Sequence, residues 1–190
     1  LIINPSNHIL AGLLDGGVLP VMKHMPGHGR GMADSHLSLP VVTTTRAELE
    51  EHDFVPFLAL NDLPMAMTGH LVFTAIDPEN PATTSSIVIR EIIRGYLRFD
   101  GLLMSDDISM NALSGDMHQR ARAIFSAGCD IALHCHGIID EMVAVAAQAP
   151  VLSGKSLERA QAALARISGD MEHDEVAIRT EFDGLLSAVA

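Results

Sequence analysis

The amino-acid sequence predicts an α/β fold built around a parallel β-sheet. Three observations support this prediction: short apolar runs alternate with longer amphipathic segments, Gly or Pro stands shortly before each run, and polar clusters follow several of the runs. Strands of a parallel sheet are covered by helices on both faces, so they are apolar throughout rather than alternating. We therefore expect strands and helices to alternate along the chain.

The predicted strands are too short to be helices. They are residues 18–22, 65–68, 102–104 and 131–133. A TIM-type (β/α)8 barrel has eight strands and typically about 250 residues, whereas this chain has 190 residues and about four visible strands. If the sheet belongs to such a barrel, we expect the barrel to be incomplete at its N-terminus. No linker or repeat is visible, so residues 1–190 are interpreted as a single domain.

The segments between the strands carry helix signals. Thr45 and Glu48 match a capping box before a helix that should stop or kink at Pro56. The apolar positions of residues 88–97 follow one helical face. Gly128 is a typical residue to end the helix that is expected at residues 118–127. Asn4 and Pro5 are expected to form a turn before a short helix at residues 9–14. The remaining helices are expected at residues 118–127, 138–148, 156–168 and 172–188.

Composition limits the classes of partner. The formal net charge is −12 and the chain has no dense cluster of Lys and Arg, which argues against nucleic acid or an anionic membrane as a partner. No run approaches the roughly 20 apolar residues of a membrane span.

Cys129 and Cys135 fit neither a disulfide framework nor a zinc ribbon, so we expect packed, reduced thiols and a cytoplasmic protein. Arg90 and Arg94 are interpreted as solvated surface.

Three polar clusters follow predicted strands. The first runs through residues 23–29 and on to residues 34–36, the second is residues 68–70, and the third is residues 105–107. Active sites of parallel α/β sheets form at the C-terminal ends of the strands. The sequence therefore predicts one site built from all three clusters.

Two of these clusters carry a family resemblance. The first reads K-H-M-P-G-H-G and then D-S-H, and the third reads S-D-D-I-S-M at residues 105–110. Both resemble signatures of the glycoside hydrolase family 3 β-N-acetylhexosaminidases of bacterial cell-wall recycling, over most of the chain from Gly16 to about Gly137. Met25 stands where this family usually has Phe. The N-terminal half of the barrel, which in this family contributes an acidic residue and arginines to sugar binding, has no counterpart in the sequence.

The resemblance implies the C-terminal portion of a TIM-type (β/α)8 barrel and a retaining exo-β-N-acetylglucosaminidase. Such an enzyme removes terminal N-acetylglucosamine from muropeptides in peptidoglycan recycling, through a covalent glycosyl-aspartate intermediate. It would need no cofactor and no metal. The expected partner is a muropeptide or another sugar that contains N-acetylglucosamine, and the expected location is the cytoplasm.

The chemistry assigns roles to five residues. Retaining glycosidases need a carboxylate that attacks the anomeric carbon and a second group that acts as acid and then base. The resemblance makes Asp106 the nucleophile, with Asp107 as the alternative, because neighbours on a strand point to opposite sides. Asp34 and His36 lie two apart on an extended loop, so Asp34 can orient the His36 imidazole as general acid/base. Lys23 and His24 resemble the pair that binds sugar hydroxyls.

Three alternatives stay open. In a phosphorylase of the same family, phosphate rather than water would accept the sugar. In a metal-dependent barrel hydrolase, His24, His28, His36 and His70 could bind zinc together with an Asp; His134 and His136 also look like a metal tract, although we interpret them as non-metal residues. In a truncated, inactive fragment, the open barrel edge would be a site of self-association.

Overall fold

A four-stranded parallel sheet organises the protein. The structure, a computed structural model, describes residues 3–32, 38–167 and 174–187. Its strands are β1 (Val21–Met25), β2 (Val41–Val42), β3 (Met65–Thr68), β4 (Val72–Phe73), β5 (Leu102–Asp107) and β6 (Ile131–Leu133). The main sheet has the order β1-β3-β5-β6, and β2 pairs with β4 in a small parallel sheet. The predicted parallel α/β arrangement is confirmed.

The main strands run parallel, so their C-terminal ends meet at one edge, although the register shifts between Met22 and Met25 of β1 and between Met104 and Asp107 of β5. Met65 lies opposite both Val21 and Leu102, and Asp107 lies opposite Leu133. The second and fourth predicted strands are confirmed. The first begins at Val21 rather than at residue 18, because Pro20 has no N–H to donate to the ladder. The third extends beyond its apolar residues to Asp107. Strands pair through backbone hydrogen bonds, which polar side chains do not prevent.

Helices cover the sheet. They are α1 (Ile3–Asp15), α2 (Arg46–Glu48), α3 (Val55–Ala59), α4 (Met117–Ala127), α5 (Ile139–Ala146), α6 (Gly154–Leu164) and α7 (Glu175–Ser187), with π-helical segments Leu49–Asp53 and Val88–Tyr96 and a 3-10 turn Ala82–Thr84. The predicted helices 156–168 and 172–188 correspond to α6 and α7, and residues 168–173 and 188–190 lie outside the described residues. The predicted stop at Gly128 is confirmed, since this residue ends α4 with φ 110°.

Two proline predictions need correction. The Thr45–Glu48 capping box is present, but Pro56 lies in the first turn of α3 instead of ending a helix. The chain reaches it through α2 and the segment Leu49–Asp53. Likewise Pro5 lies within the first turn of α1 rather than in a preceding turn. A first turn tolerates proline because its N–H groups have no partner within the helix.

Arg94 is wrongly predicted as solvated surface. Its side chain is 16% exposed, whereas that of Arg90 is 66% exposed. The Arg94 guanidinium donates to the carbonyl oxygens of Phe99 and Gly101 and to Oδ2 of Asp130 at 2.8 Å. Burial lowers the pKa of Arg94, with the carboxylate of Asp130 opposing that effect.

Asp130 is the centre of this buried cluster. Its carboxylate also accepts hydrogen bonds from the Leu103 amide, the Ser156 hydroxyl and the Arg159 guanidinium. The cluster lies at the N-terminal end of β5, opposite the edge where the polar clusters gather. A buried carboxylate needs such a set of donors, because an unpaired buried charge is costly.

The apolar core lies between the sheet and the helices. Its fully buried members include Met25, Leu49, Phe54, Leu71, Ile92, Leu97, Leu103 and Ile124. Cys129 is buried near the core and its pKa is raised to about 12 by that burial. Cys135 is exposed, so the prediction that both thiols are packed is wrong for this residue, which follows the end of β6. Within the described ranges, no helix is long and apolar enough to cross a bilayer.

Candidate active site

The ends of β1 and β5 bring His24 and Asp106 together. Nε2 of His24 lies 3.7 Å from Oδ2 of Asp106, and their side chains are 31% and 14% exposed. The two strands are separated by β3 in the sheet, so the contact is made across the end of β3. The predicted meeting of the first and third polar clusters is observed.

Asp106 presents one carboxylate oxygen to His24. Its Oδ1 accepts a hydrogen bond from the Asp107 amide at 2.9 Å, while Oδ2 faces His24. A carboxylate that is largely removed from water and held at one oxygen can attack an electrophilic carbon with the other. This arrangement is compatible with the nucleophile role that the sequence suggests for Asp106.

The carboxylate of Asp107 is already hydrogen-bonded to groups of the protein. Its carboxylate accepts hydrogen bonds from the Ser109 hydroxyl at 2.6 Å, the Ser109 amide at 3.0 Å and the Cys135 amide at 3.1 Å. Partial burial would raise the pKa of Asp107, but these hydrogen bonds outweigh it and hold the pKa below its ordinary value. The carboxylate therefore ties the turn after β5 to the segment after β6.

His24 is positioned as a neutral side chain. Burial lowers its pKa, and the charges of Lys23 and His28 act in the same direction, while Asp106 opposes them. The His28 ring lies 5.8 Å from the His24 ring, centroid to centroid. A neutral imidazole can both donate and accept a hydrogen bond, which matches the hydroxyl groups of an uncharged sugar.

A groove adjoins His24. It has a volume of about 670 Å³ and is lined by Lys23, His24, His28, Arg30 and Asp53 against an apolar wall. Asp106 is not among its lining residues, so the groove reaches the edge with Asp106 through the first polar cluster, in which His24 lies beside Asp106. Arg30 donates two hydrogen bonds to Asp53, at 2.8 and 3.0 Å, and thereby fastens the segment after β1 to the helices beside it.

Asp34 and His36 lie outside the described residues. The chain is described as far as Met32 and again from Ser38. Their role as general acid/base therefore stays a prediction from the sequence.

His70 is a buried residue and does not line the groove beside His24. Its Nδ1 lies 2.9 Å from Oγ1 of Thr83, and its Nε2 lies 2.9 Å from the carbonyl oxygen of Asp107. Both ring nitrogens are therefore occupied, and neither is available to a metal ion. Sequence alone could not find Thr83, which reaches His70 from the 3-10 turn between β4 and β5.

The histidines after β6 form a separate group. Nε2 of His134 lies 2.7 Å from Oε2 of Glu141, and Nδ1 of His136 lies 3.7 Å from the same oxygen. Glu141 belongs to the first turn of α5, so the pairing ties that helix to the end of β6. Among the residues that the structure describes, no three His, Cys, Asp or Glu side chains are arranged to hold a metal ion.

Comparisons with known sequences point to one family. Residues 2–168 match the profile described as Glycosyl hydrolase family 3 N terminal domain. A β-hexosaminidase from Alkalilimnicola ehrlichii is 47% identical over 131 residues, which cover 67% of this chain and 37% of that protein. A β-hexosaminidase from Idiomarina loihiensis is 36% identical over 157 residues, which cover 81% of this chain and 47% of that protein. The chain thus spans less than half the length of these two curated relatives.

Solved structures agree with the sequence comparison. NagZ from Neisseria gonorrhoeae, in complex with N-trifluoroacetyl-D-glucosamine, is similar with a TM-score of 0.72 and 32% identity, over 93% of this chain and 50% of that chain. A glycoside hydrolase family 3 β-N-acetylglucosaminidase from Paenibacillus sp. str. FPU-7 is similar with a TM-score of 0.75 and 30% identity, over 86% of this chain and 34% of that chain. The predicted class, part of a TIM-type (β/α)8 barrel, is confirmed.

Proposed function

The chain belongs to glycosyl hydrolase family 3, and from that premise we propose that it carries the catalytic groups of a retaining exo-β-N-acetylglucosaminidase. Its substrate is a muropeptide or a related sugar with a terminal, β-linked N-acetylglucosamine. The observation that carries the proposal is the pairing of Asp106 with a neutral His24 at the C-terminal edge of the sheet. The relatives named β-hexosaminidase support the same substrate class.

The proposed reaction has two steps. Oδ2 of Asp106 attacks the anomeric carbon as the bond to the leaving oxygen breaks, and His36 gives that oxygen a proton. The resulting glycosyl-aspartate is then attacked by a water molecule, whose proton returns to His36, and the Asp106 carboxylate is regenerated. Two displacements at one carbon leave its configuration unchanged. Asp34 orients the His36 ring through both steps.

Substrate contacts fall to Lys23 and His24. The His24 imidazole lies beside the nucleophile and can form a hydrogen bond with a sugar hydroxyl. The ammonium group of Lys23, the preceding residue of β1, can donate a hydrogen bond to another hydroxyl of the sugar. Asp107 is not the nucleophile in this proposal, because Ser109 and Cys135 already occupy its carboxylate.

The setting of the enzyme is also proposed. We place it in the cytoplasm, in peptidoglycan recycling, and we treat residues 1–190 as one domain that forms the C-terminal portion of the catalytic barrel. The acidic charge of −12 suits an uncharged sugar better than a polyanion. It would work without a metal or other cofactor.

Self-association through an open barrel edge is part of the proposal. The three residues of β6 are only half-buried, and Ile139, Met142 and Val143 of the adjoining α5 expose apolar side chains. Further β/α units or a second copy of the chain would cover this edge. A solution mass that stays at one chain across the concentration range used for assays would count against a second copy.

The test of function uses a chromogenic β-N-acetylglucosaminide. The purified protein should hydrolyse it and release β-N-acetylglucosamine first, as seen by proton NMR before the anomers equilibrate. Asp106→Asn should lose at least about a thousandfold in kcat, while Asp183→Asn on the exposed α7 should match the parent. Release of the α-anomer, or full activity of Asp106→Asn, would overturn the proposal.

The same assay separates the alternatives. Acceleration by phosphate with formation of sugar 1-phosphate would indicate the phosphorylase. Loss of activity in chelator, restored by zinc, would indicate the metal-dependent hydrolase, although His70 could not be one of its ligands because both ring nitrogens are occupied. A folded chain without turnover would indicate an inactive fragment.

A further inference from the structure

We propose that His70 and Asp107 are positioning residues that fix the Asp106 carboxylate with Oδ2 presented for attack. This inference rests on the proposed function, because it concerns the same nucleophile. Neither residue touches the substrate in this scheme. They act through the backbone at the end of β5.

Asp107 is held at each of its polar groups. Its carbonyl oxygen lies 2.9 Å from Nε2 of His70, and its carboxylate accepts from Ser109 and from the Cys135 amide. Its amide N–H, with the rest of the residue fixed, donates to Oδ1 of Asp106 at 2.9 Å. The two oxygens of the Asp106 carboxylate are thereby distinguished: Oδ1 accepts from the Asp107 amide, and Oδ2 faces His24.

His70 connects Asp107 to the end of β3. It follows the end of β3 and is fully buried, and its Nδ1 contacts Oγ1 of Thr83, which lies 2.8 Å from Oγ1 of Thr68. A continuous chain of hydrogen bonds therefore joins the end of β3 to the end of β5. No water is needed to complete it.

The hydrogen-bond partners of His70 fix its tautomer. A carbonyl oxygen can only accept, so Nε2 of His70 must carry a proton to bond Asp107. Burial lowers the pKa of His70, with the bond to Asp107 opposing it, so the ring is neutral and Nδ1 accepts. The Thr83 hydroxyl then donates to Nδ1, and Thr68 donates to Thr83. Oγ1 of Thr83 also lies 3.0 Å from the Gly69 carbonyl oxygen, but its single proton serves one acceptor at a time.

Two substitutions at His70 separate donation from packing. Gln can place an amide N–H close to the position of Nε2, whereas Met fills similar volume without a donor. His70→Met should lower kcat by about 10- to 100-fold, as expected for a displaced reacting group, and should leave KM within about twofold. His70→Gln should lower kcat much less: if His70→Met loses about 100-fold, His70→Gln should lose no more than about 10-fold.

Thr83 provides a second pair if His70→Met fails to fold. Thr83→Ser keeps the hydroxyl and should retain kcat, while Thr83→Val removes it with little change in shape and should lower kcat. Thermal unfolding of each variant identifies those that are folded at the assay temperature. Equal kcat in the Ser and Val variants, or an unchanged kcat in folded His70→Met, would overturn the inference.

NMR of histidine ring nitrogens gives a readout that does not need turnover. In the parent protein, His70 should show the neutral form with the proton on Nε2. A proton on Nδ1 alone would contradict the inference, even if the enzyme is active. A parent protein without turnover refutes the proposed function instead, and the NMR result then decides whether the hydrogen-bond chain exists.

Discussion

His24 Nε2 lies 3.7 Å from Asp106 Oδ2, although these residues stand on strands that are not neighbours in the sheet. The contact is possible because both side chains emerge at the C-terminal edge, over the end of β3. Burial lowers the pKa of His24, which favours a neutral imidazole beside the Asp106 carboxylate.

Replacing His24 should weaken substrate binding. One lost hydrogen bond to a sugar hydroxyl costs roughly 0.5–1.5 kcal/mol, so His24→Ala should raise KM by about 2- to 13-fold. His118→Ala on the exposed surface of α4 is the matched control and should leave KM unchanged. Steady-state kinetics with the chromogenic substrate measure both. An unchanged KM for His24→Ala would remove this residue from the binding site.

The stability of the protein should fall as the pH drops below about 6.5, the ordinary histidine value. Burial lowers the pKa of His70 and of His24, so the unfolded chain takes up protons at a pH where the folded protein does not. More protons bound in the unfolded state means that unfolding becomes easier as the pH falls. Urea unfolding between pH 5 and 8 checks the slope.

His70→Gln should flatten part of that pH dependence, because glutamine does not titrate. His118→Gln serves as the control and should leave the slope as it is, since this residue lies on the exposed surface. A slope that His70→Gln does not alter would show that His70 is protonated to the same extent in both states.

Breaking the buried ion cluster should destabilise the fold without changing the chemistry. Arg94→Met leaves the carboxylate of Asp130 with fewer partners in a buried place, and removal of one partner from such a pair costs about 3–5 kcal/mol. Arg90→Met, on the exposed side of the same helical segment, should cost less than about 0.5 kcal/mol. The free energy of unfolding in urea measures the difference, and a similar cost in both variants would contradict the structure.

The two thiols should differ in reactivity. Cys129 is buried with a pKa raised to about 12, so it should resist alkylation in the folded protein. Cys135 is exposed, but partial burial and the charges of Asp107 and Asp106 raise its pKa as well. It should therefore react first, yet more slowly than free cysteine, because the thiolate is the reactive form. Mass spectrometry of the iodoacetamide-treated protein, with peptide mapping, identifies the modified residue.

The sheet could be predicted from the sequence because buried parallel strands are continuous apolar runs. Such runs predict residues 65–68 and 131–133 correctly for that reason. The apolar run that includes Val18 and Leu19 predicts the start of β1 too early, because apolar character does not show that Pro20 lacks an N–H for the ladder. The apolar run of β5 ends before the strand does, because Ser105 and Asp106 are polar yet remain in the ladder.

The site could be predicted only in part. Motif and strand position together indicated Asp106 and His24, and the structure brings them together. The roles of His70 and Arg94 depend on partners far along the chain, such as Thr83 and Asp130, so no local pattern could reveal them. For the same reason, the sequence could not separate Asp106 from Asp107 without the Ser109 and Cys135 contacts.

The cluster around Asp130 also constrains how the units assemble. Its donors come from the helical segment before β5, from β5 itself and from α6. These parts meet at one carboxylate only when consecutive units dock in their native order and register. Any slipped or exchanged arrangement would bury that charge without its donors, which is expensive. The N-terminal end of the sheet, which takes no part in the chemistry, thus favours the native order of the units over slipped or exchanged arrangements.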